Sequence, residues 1–345
     1  MKPNRIRLKD IAIKLRVSTS TVSKALRNKT EISESLRLQI TQLAKDLRYQ
    51  PNFMATHLRT KRNFSIGVVV PKIVHQYLSS IISGILEEAS KSNYQVIICD
   101  TGHSFEKEVE IIEHLCTGFV DGLLICVSNQ TEDFTHIERL KQDYIPFVLF
   151  DKDISGIKAP KVVVDDYTGA LCAVEHLINQ GYKNIAHIQD NLINHSSQKR
   201  MKGYYSALKK YGHTKNEKMV IQLDEISIEN SRLATRELLT KNPLIDAVFG
   251  ITDEIAVGAI QAALELGKKI PEKFGVVGFS NGQIATVVSP KLTSVAQPGI
   301  EMGKTATKLL IQQIEGKKEF TDEFPIKILK TKLIVRESSE RNHLQ

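Results

Sequence analysis

The sequence predicts two joined architectures: an all-α helix-turn-helix domain, then an α/β core of two parallel-sheet subdomains. Three observations carry this. Two short helical stretches, 8–15 and 19–26, are separated by only Arg16-Val17-Ser18. Residues 1–62 hold 15 Lys or Arg against 4 Asp or Glu, whereas the rest of the chain holds 32 against 35, so the excess positive charge lies in the first sixth. From Ser65 onward, aliphatic runs alternate with amphipathic stretches of about 10–15 residues, the pattern of parallel strands buried under crossover helices.

Length and composition set the frame. A chain of 345 residues with 41% hydrophobic and 25% charged content is globular and long enough for two or three domains. No apolar run approaches the roughly 18 residues needed to span a bilayer. Met1 to Arg7 is basic but lacks an apolar centre, so it is not a secretion signal, and a cytoplasmic protein is expected. The cysteines Cys99, Cys116, Cys126 and Cys172 form no Cys-x-x-Cys pair. Cys99, Cys126 and Cys172 have aliphatic neighbours and read as buried free thiols. No metal and no cofactor is expected.

Taken in order, Ile11 and Leu15 mark the inner face of a first helix, and Val22, Ala25 and Leu26 that of a second. The opposite face of the second carries Thr19, Ser20, Ser23 and Lys24, side chains suited to base edges and phosphates. Taken alone, these residues equally suit an ordinary pair of core helices; the surrounding charge favours nucleic acid. A third helix is expected after Ser33, with Glu34 in its first turn and Leu36, Ile40, Leu43 and Leu47 as one stripe. Pro51 then suits a first helical turn. The segment to Arg59 holds about two turns, too few to be stable alone in water. It reads as a linker that folds on a partner.

In the core, strands are expected at 66–71, 95–99, 122–127, 147–150, 162–164, 185–188, 247–250 and 275–279. Helices are expected at 79–92, 106–117, 134–143, 170–180, 198–211, 228–241, 255–266 and 300–315. This many strands fit two α/β subdomains better than one sheet.

Motif tests exclude most catalytic classes. No Gly-x-Gly-x-x-Gly follows a strand, no phosphate-binding Gly-x4-Gly-Lys-Ser/Thr occurs, and no His-Glu-x-x-His is present. Gly278-Phe279-Ser280-Asn281-Gly282 matches a hydrolase nucleophile elbow after a strand. The only later histidine is His343 in a polar tail, so an enzyme is not expected. The alternative is a strand-end loop at the carboxyl edge of a parallel sheet, where ligands bind in open α/β folds. Tyr77, Asp151, Lys152, Asp165, Asp166, Thr252, Asp253, Glu254, Ser280 and Asn281 all follow strands, and Arg200 opens a helix. Individually these suit caps and surface groups, with Asp253 a candidate cap for the helix from Ile255. Together they suit a polar small ligand such as a sugar.

These residues carry a resemblance. Leu8-Lys9-Asp10-Ile11-Ala12, the run from Val17 to Asn28, Tyr49-Gln50-Pro51-Asn52-Phe53-Met54-Ala55, Ile66-Gly67, Val120-Asp121-Gly122-Leu123-Leu124, Gln297-Pro298 with Gly303, and Leu333-Ile334-Val335-Arg336-Glu337-Ser338 occur in the order found in the LacI/GalR family of bacterial transcription regulators. The chain resembles that family over roughly residues 8–338. The resemblance implies a helix-turn-helix domain at 1–49, a hinge helix and linker at 50–63, and a periplasmic-binding-protein-like core at 64–340. Its subdomains would exchange chain, with 64–163 plus 294–322 in one and 164–293 plus 323–340 in the other.

The resemblance also implies roles. Thr19 and Ser20 would discriminate operators, with Lys9, Ser18, Thr21, Ser23, Lys24, Asn28 and Asn52 also at the DNA. Leu58 would wedge into the minor groove beside the small residue Ala55. Tyr77, Asp151, Lys152, Arg200, Thr252, Asp253 and Ser280 would face the effector. Sugar-binding relatives often have Asp where this chain has Ser280. With Lys152 and Arg200 nearby, a sugar, a sugar acid or a sugar phosphate are all open. The tail after Ser338 has no heptad, so a homodimer on a near-palindromic operator is expected. The expected function is a ligand-responsive regulator of transcription, a repressor of carbohydrate genes. A solute-binding transport component is the rival, opposed by the basic N-terminal segment.

Overall fold

Ile11, Val22, Ala25 and Ile40 are wholly buried against one another and close a small core, around which Leu15, Leu26, Leu36, Leu43 and Leu47 pack. They belong to α1 (Leu8–Leu15), α2 (Thr19–Ala25) and α3 (Glu34–Asp46). The computed structural model describes residues 6–26, 28–49, 62–74, 76–154, 156–190, 195–214, 216–316 and 324–341. It divides into a first unit, Met1–Asn63, and a second, Phe64–Gln345. In the first unit α1 ends at Arg16, which takes the left-handed conformation at φ 53°. Ser18 then starts α2 by accepting a hydrogen bond from the Thr21 N–H at 3.0 Å, the usual work of an N-cap serine. The expected hinge segment, with Asn52, Ala55 and Leu58, lies outside the described residues.

The second unit contains two six-stranded sheets. The first has the order β11-β5-β4-β3-β1-β2, with β1 Ser65–Val70, β2 Gln95–Asp100, β3 Gly122–Ile125, β4 Phe147–Phe150, β5 Lys161–Val164 and β11 Ile326–Leu329. All its neighbours pair in parallel. The second has the order β12-β10-β9-β8-β6-β7: β6 Ile185–Asp190, β7 Val220–Leu223, β8 Ala247–Gly250, β9 Gly275–Ser280, β10 Thr293–Ala296 and β12 Lys332–Ile334. Only β12, antiparallel to β10, breaks its parallel pairing.

Helices cover the sheets. On the first lie α4 (Gln76–Lys91), α5 (Phe105–Cys116) and α6 (Thr135–Gln142); on the second α7 (Asp166–Asn179), α8 (His195–Lys210), α9 (Ile228–Lys241) and α10 (Asp253–Glu265). After the short α11 (Ile284–Val287), α12 (Gly299–Ile314) returns to the first sheet, where Met302, Ala306 and Leu310 join Ile66, Val68 and Ile81 in one core. Among the described residues, no helix is long and apolar enough to cross a membrane.

The strand pairing corrects the expected subdomain boundaries. Thr293–Ala296 pairs with β9 of the second sheet, and Ile326–Leu329 pairs with β5 of the first. The return to the first subdomain therefore runs from Gly299 to Leu329, later at both ends than expected. Strand β2 is an edge strand and only partly buried. Of the thiols expected to be buried, Cys126 is, whereas Cys99 is partly exposed and Cys172 is exposed on α7.

His187 on β6 is wholly buried between the rings of Tyr204 and Phe249, 5.1 and 4.9 Å away, and its Nδ1 donates to the Phe249 carbonyl at 2.9 Å. Burial lowers its pKa to about 4 from an ordinary 6.5. The unfolded chain thus takes up this proton first, so His187 subtracts stability as pH falls from about 6.5 to 4 and nothing above that window. His187→Phe should flatten the acid limb of a urea-denaturation profile by up to about 3 kcal/mol. An unchanged slope between pH 4.5 and 6.5 would refute this.

Candidate functional site

Two groups of polar side chains stand out, one in each unit. In the first unit, burial of Val22 and Ala25 turns Thr19 and Ser20 to solvent. Ser18 Oγ lies 2.6 Å from Ser20 Oγ and 2.8 Å from Thr21 Oγ1, so three expected DNA contacts form one hydroxyl cluster anchored by the cap. Lys24 is paired with Glu31, a partner the sequence reading did not consider. Lys9 and Asn28 are exposed, Asn28 just past α2 at φ 53°.

In the second unit, a cavity of about 200 Å³ opens where the carboxyl ends of the two sheets face each other. Tyr77, Asp151 and Lys152 line it from the first subdomain; Arg200, Thr252 and Ser280 line it from the second. Six of the seven expected effector residues therefore meet. Asp253 does not line the cavity and is buried behind it. Its carboxylate accepts from the Gly282 N–H at 2.6 Å and from the Ser294 hydroxyl. Burial raises its pKa, against the pull of those bonds. Nor does Asp253 cap α10: Thr252 does, accepting from the Ile255 N–H at 3.3 Å. The carboxylate one position later falls inside the first turn and points to the sheet edge.

Arg200 is the most constrained of the group. Its Nε donates to Asp166 at 2.8 Å, Nη2 lies 2.7 Å from the same oxygen, and Nη1 donates to the Ile251 carbonyl at 2.7 Å. The guanidinium stacks over the Phe279 ring at 3.7 Å. Lys152 donates to the Val127 carbonyl at 2.7 Å and to Asn129 Oδ1. Tyr77 sits in the first turn of α4, its hydroxyl 3.6 Å from Met302 Sδ. Burial, and then Asp151, raise its pKa well above the ordinary value, so it stays a neutral donor. Ser280 ends β9 at φ 117° and Asp151 follows β4 at φ 69°. Both are backbone conformations that L residues adopt only where surroundings impose them.

Asn129, Asp190 and Gln297 also line the cavity and were missed as effector candidates. Each follows or ends a strand, β3, β6 and β10, so the rule that found Asp151 would have found the first two. Gln297 needed β10, which was not read as a strand. The lips are bridged directly: Lys199 on α8 donates to Asp153 of the first subdomain at 2.7 Å, and the Gln283 N–H donates to Gln76 Oε1 at 2.5 Å.

A basic helix-turn-helix unit on the same chain as a two-lobed, ligand-sized cleft defines an effector-type DNA-binding protein. Comparison with known proteins agrees. Residues 63–336 match the family of periplasmic binding proteins and the sugar binding domain of the LacI family, and residues 7–52 match the bacterial regulatory proteins of the lacI family. The chain belongs to the LacI family of bacterial regulatory proteins. The ribose operon repressor of Halalkalibacterium halodurans is 32% identical over 96% of this chain and 97% of its own. A LacI family transcriptional regulator from Enterococcus faecium with bound ribose superposes with a TM-score of 0.69 at 30% identity, covering 80% of this chain and 98% of that one. The lac repressor dimer bound to operator and the anti-inducer ONPF superposes at 0.85 over 97% of this chain and 99% of that one; at 21% identity this likeness concerns the fold.

Arg200 and Asp166 are both more than nine-tenths buried. Removing one partner strands the other charge. Arg200→Met should lower stability to urea by about 3 kcal/mol. Adding Asp166→Asn should recover much of that. A loss that persists undiminished in the double variant would refute the buried-charge explanation.

Proposed function

We propose that this protein is a ligand-responsive, DNA-binding regulator of transcription in the bacterial cytoplasm, a repressor of carbohydrate-related genes acting as a homodimer on a near-palindromic operator. The observation that carries this reading is the convergence of polar side chains from both sheet edges on one small cavity, in a chain that also holds a basic helix-turn-helix. Thr19 and Ser20 read base edges, while Ser18 holds the start of the helix that presents them. Ligand in the cleft favours one relative orientation of the two subdomains, and that choice is coupled to DNA binding. No chemical step on the ligand is part of this function.

The charge around the cavity narrows the ligand. Lys72, Lys152 and Arg200 are offset by Asp151 and Asp190 at the lining and by Asp166 behind Arg200. No net cation is left over for a phosphate or a carboxylate. We therefore favour a neutral monosaccharide over the sugar acid or sugar phosphate that Lys152 and Arg200 alone would suggest. The relative named a ribose operon repressor and the structure with bound ribose make ribose the first probe.

Two measurements test this. Ribose or another neutral monosaccharide should raise the melting temperature in proportion to the logarithm of its concentration. A response to sugar phosphates alone would overturn the neutral-ligand reading. Exchanging Thr19 and Ser20 should change the bases preferred in selection from a random duplex library and leave sugar affinity unaltered. An unaltered base preference would remove both from the readout.

A further inference from the structure

The first unit also holds an ion pair between Lys24 on α2 and Glu31 in the turn before α3. Both side chains are well exposed, 44% and 62%. Exposed pairs are screened by water, and ordering two side chains offsets their attraction, so the pair adds little to folding. Lys24 still holds the Glu31 carboxyl below its ordinary pKa, through its hydrogen bond first and its charge second. The other acidic residues of the basic segment serve the helices. Asp10 accepts from the Arg7 backbone N–H at 2.7 Å, Glu34 opens α3 and pairs with Arg37 at 3.1 Å, and Asp46 accepts from Gln42 at 2.9 Å. Glu31 lies outside α1, α2 and α3 and gives its carboxylate to Lys24.

We propose that Glu31 is an internal competitor for the phosphate that Lys24 would otherwise meet, and that it sets how strongly the module holds DNA of any sequence. This rests on the reading of α2 as the DNA-facing helix. A phosphate approaching Lys24 must displace the carboxylate or accept it as a neighbour, and either route sets one anion against another. Binding to arbitrary sequence is nearly all phosphate contact and so reports this competition directly.

The test uses the full-length protein and a short duplex of arbitrary sequence, with binding followed by fluorescence anisotropy across a salt series. Glu31→Gln should bind several-fold tighter at low salt, and the slope of log affinity against log salt should steepen by about one unit. Lys24→Gln should change binding and slope little while Glu31 is present, because that lysine is already engaged. In the Lys24→Gln background, Glu31→Gln should change little, which is the signature of competition for that one lysine. An unchanged slope for Glu31→Gln overturns the proposal. So does the same gain with and without Lys24, which would mark a long-range charge effect. Failure of the unsubstituted protein to bind the duplex at low salt would overturn the DNA-binding reading itself, and the proposal with it.

Discussion

The cleft depends on a constraint of connectivity. The chain crosses between the two sheets three times, from β5 to α7, from β10 to α12 and from β11 to β12, and every crossing is a few residues long. Three short links tie the lobes at one side and leave little freedom except rotation about that side. Because strands within each sheet run parallel, the loops after them collect at one edge. The links hold those two edges face to face. The cavity and the rotation that the links leave to the lobes are thus two results of one topology. The bridges from Lys199 to Asp153 and from Gln283 to Gln76 join the two lobes across the cleft.

Much of this was legible because buried parallel strands are written in continuous aliphatic residues. Val68-Val69-Val70 and Phe147-Val148-Leu149-Phe150 admit few other readings. The strands that escaped notice lack that signature for identifiable reasons. β7 and β11 are edge strands with Gln222 and Lys327 in their middles, and β12 has three residues. β10 is internal, yet it reads Thr293-Ser294-Val295-Ala296. Its two hydroxyl residues are wholly buried because they carry a polar network. Thr293 Oγ1 accepts from the Arg336 N–H at 2.8 Å, and Ser294 Oγ bonds Asp253 and the Asn281 N–H. A buried strand with satisfied hydroxyls looks like a loop to any reading based on hydropathy. Missing it moved the subdomain boundary and hid Gln297.

The candidate effector residues were legible for a simpler reason: a residue just past a parallel strand is placed by the fold whatever its neighbours do. What the sequence could not convey is which of two adjacent polar residues turns inward. Thr252 and Asp253 show the difficulty. One caps the helix and borders the cavity; the next is buried against β10. The spacing of one residue along a first helical turn rotates the side chain by about 100°, enough to exchange the two surroundings.

Ser280 joins these threads. Its φ of 117° is a strained position for a side-chain-bearing residue, and such a position persists only where neighbours over-determine it. Here they do. The Asn281 N–H donates to Ser294 Oγ at 2.9 Å, the Gly282 N–H to Asp253 at 2.6 Å, and Arg336 Nη2 to Asn281 Oδ1 at 2.7 Å. Arg336 follows β12, beyond the third crossing between the lobes. The last stretch of the chain therefore clamps, within the second lobe, the loop that carries Ser280 into the cavity. That gives Asp253 a reason to be buried here: it holds the frame against which Ser280 is strained, while the cavity is lined by its neighbours.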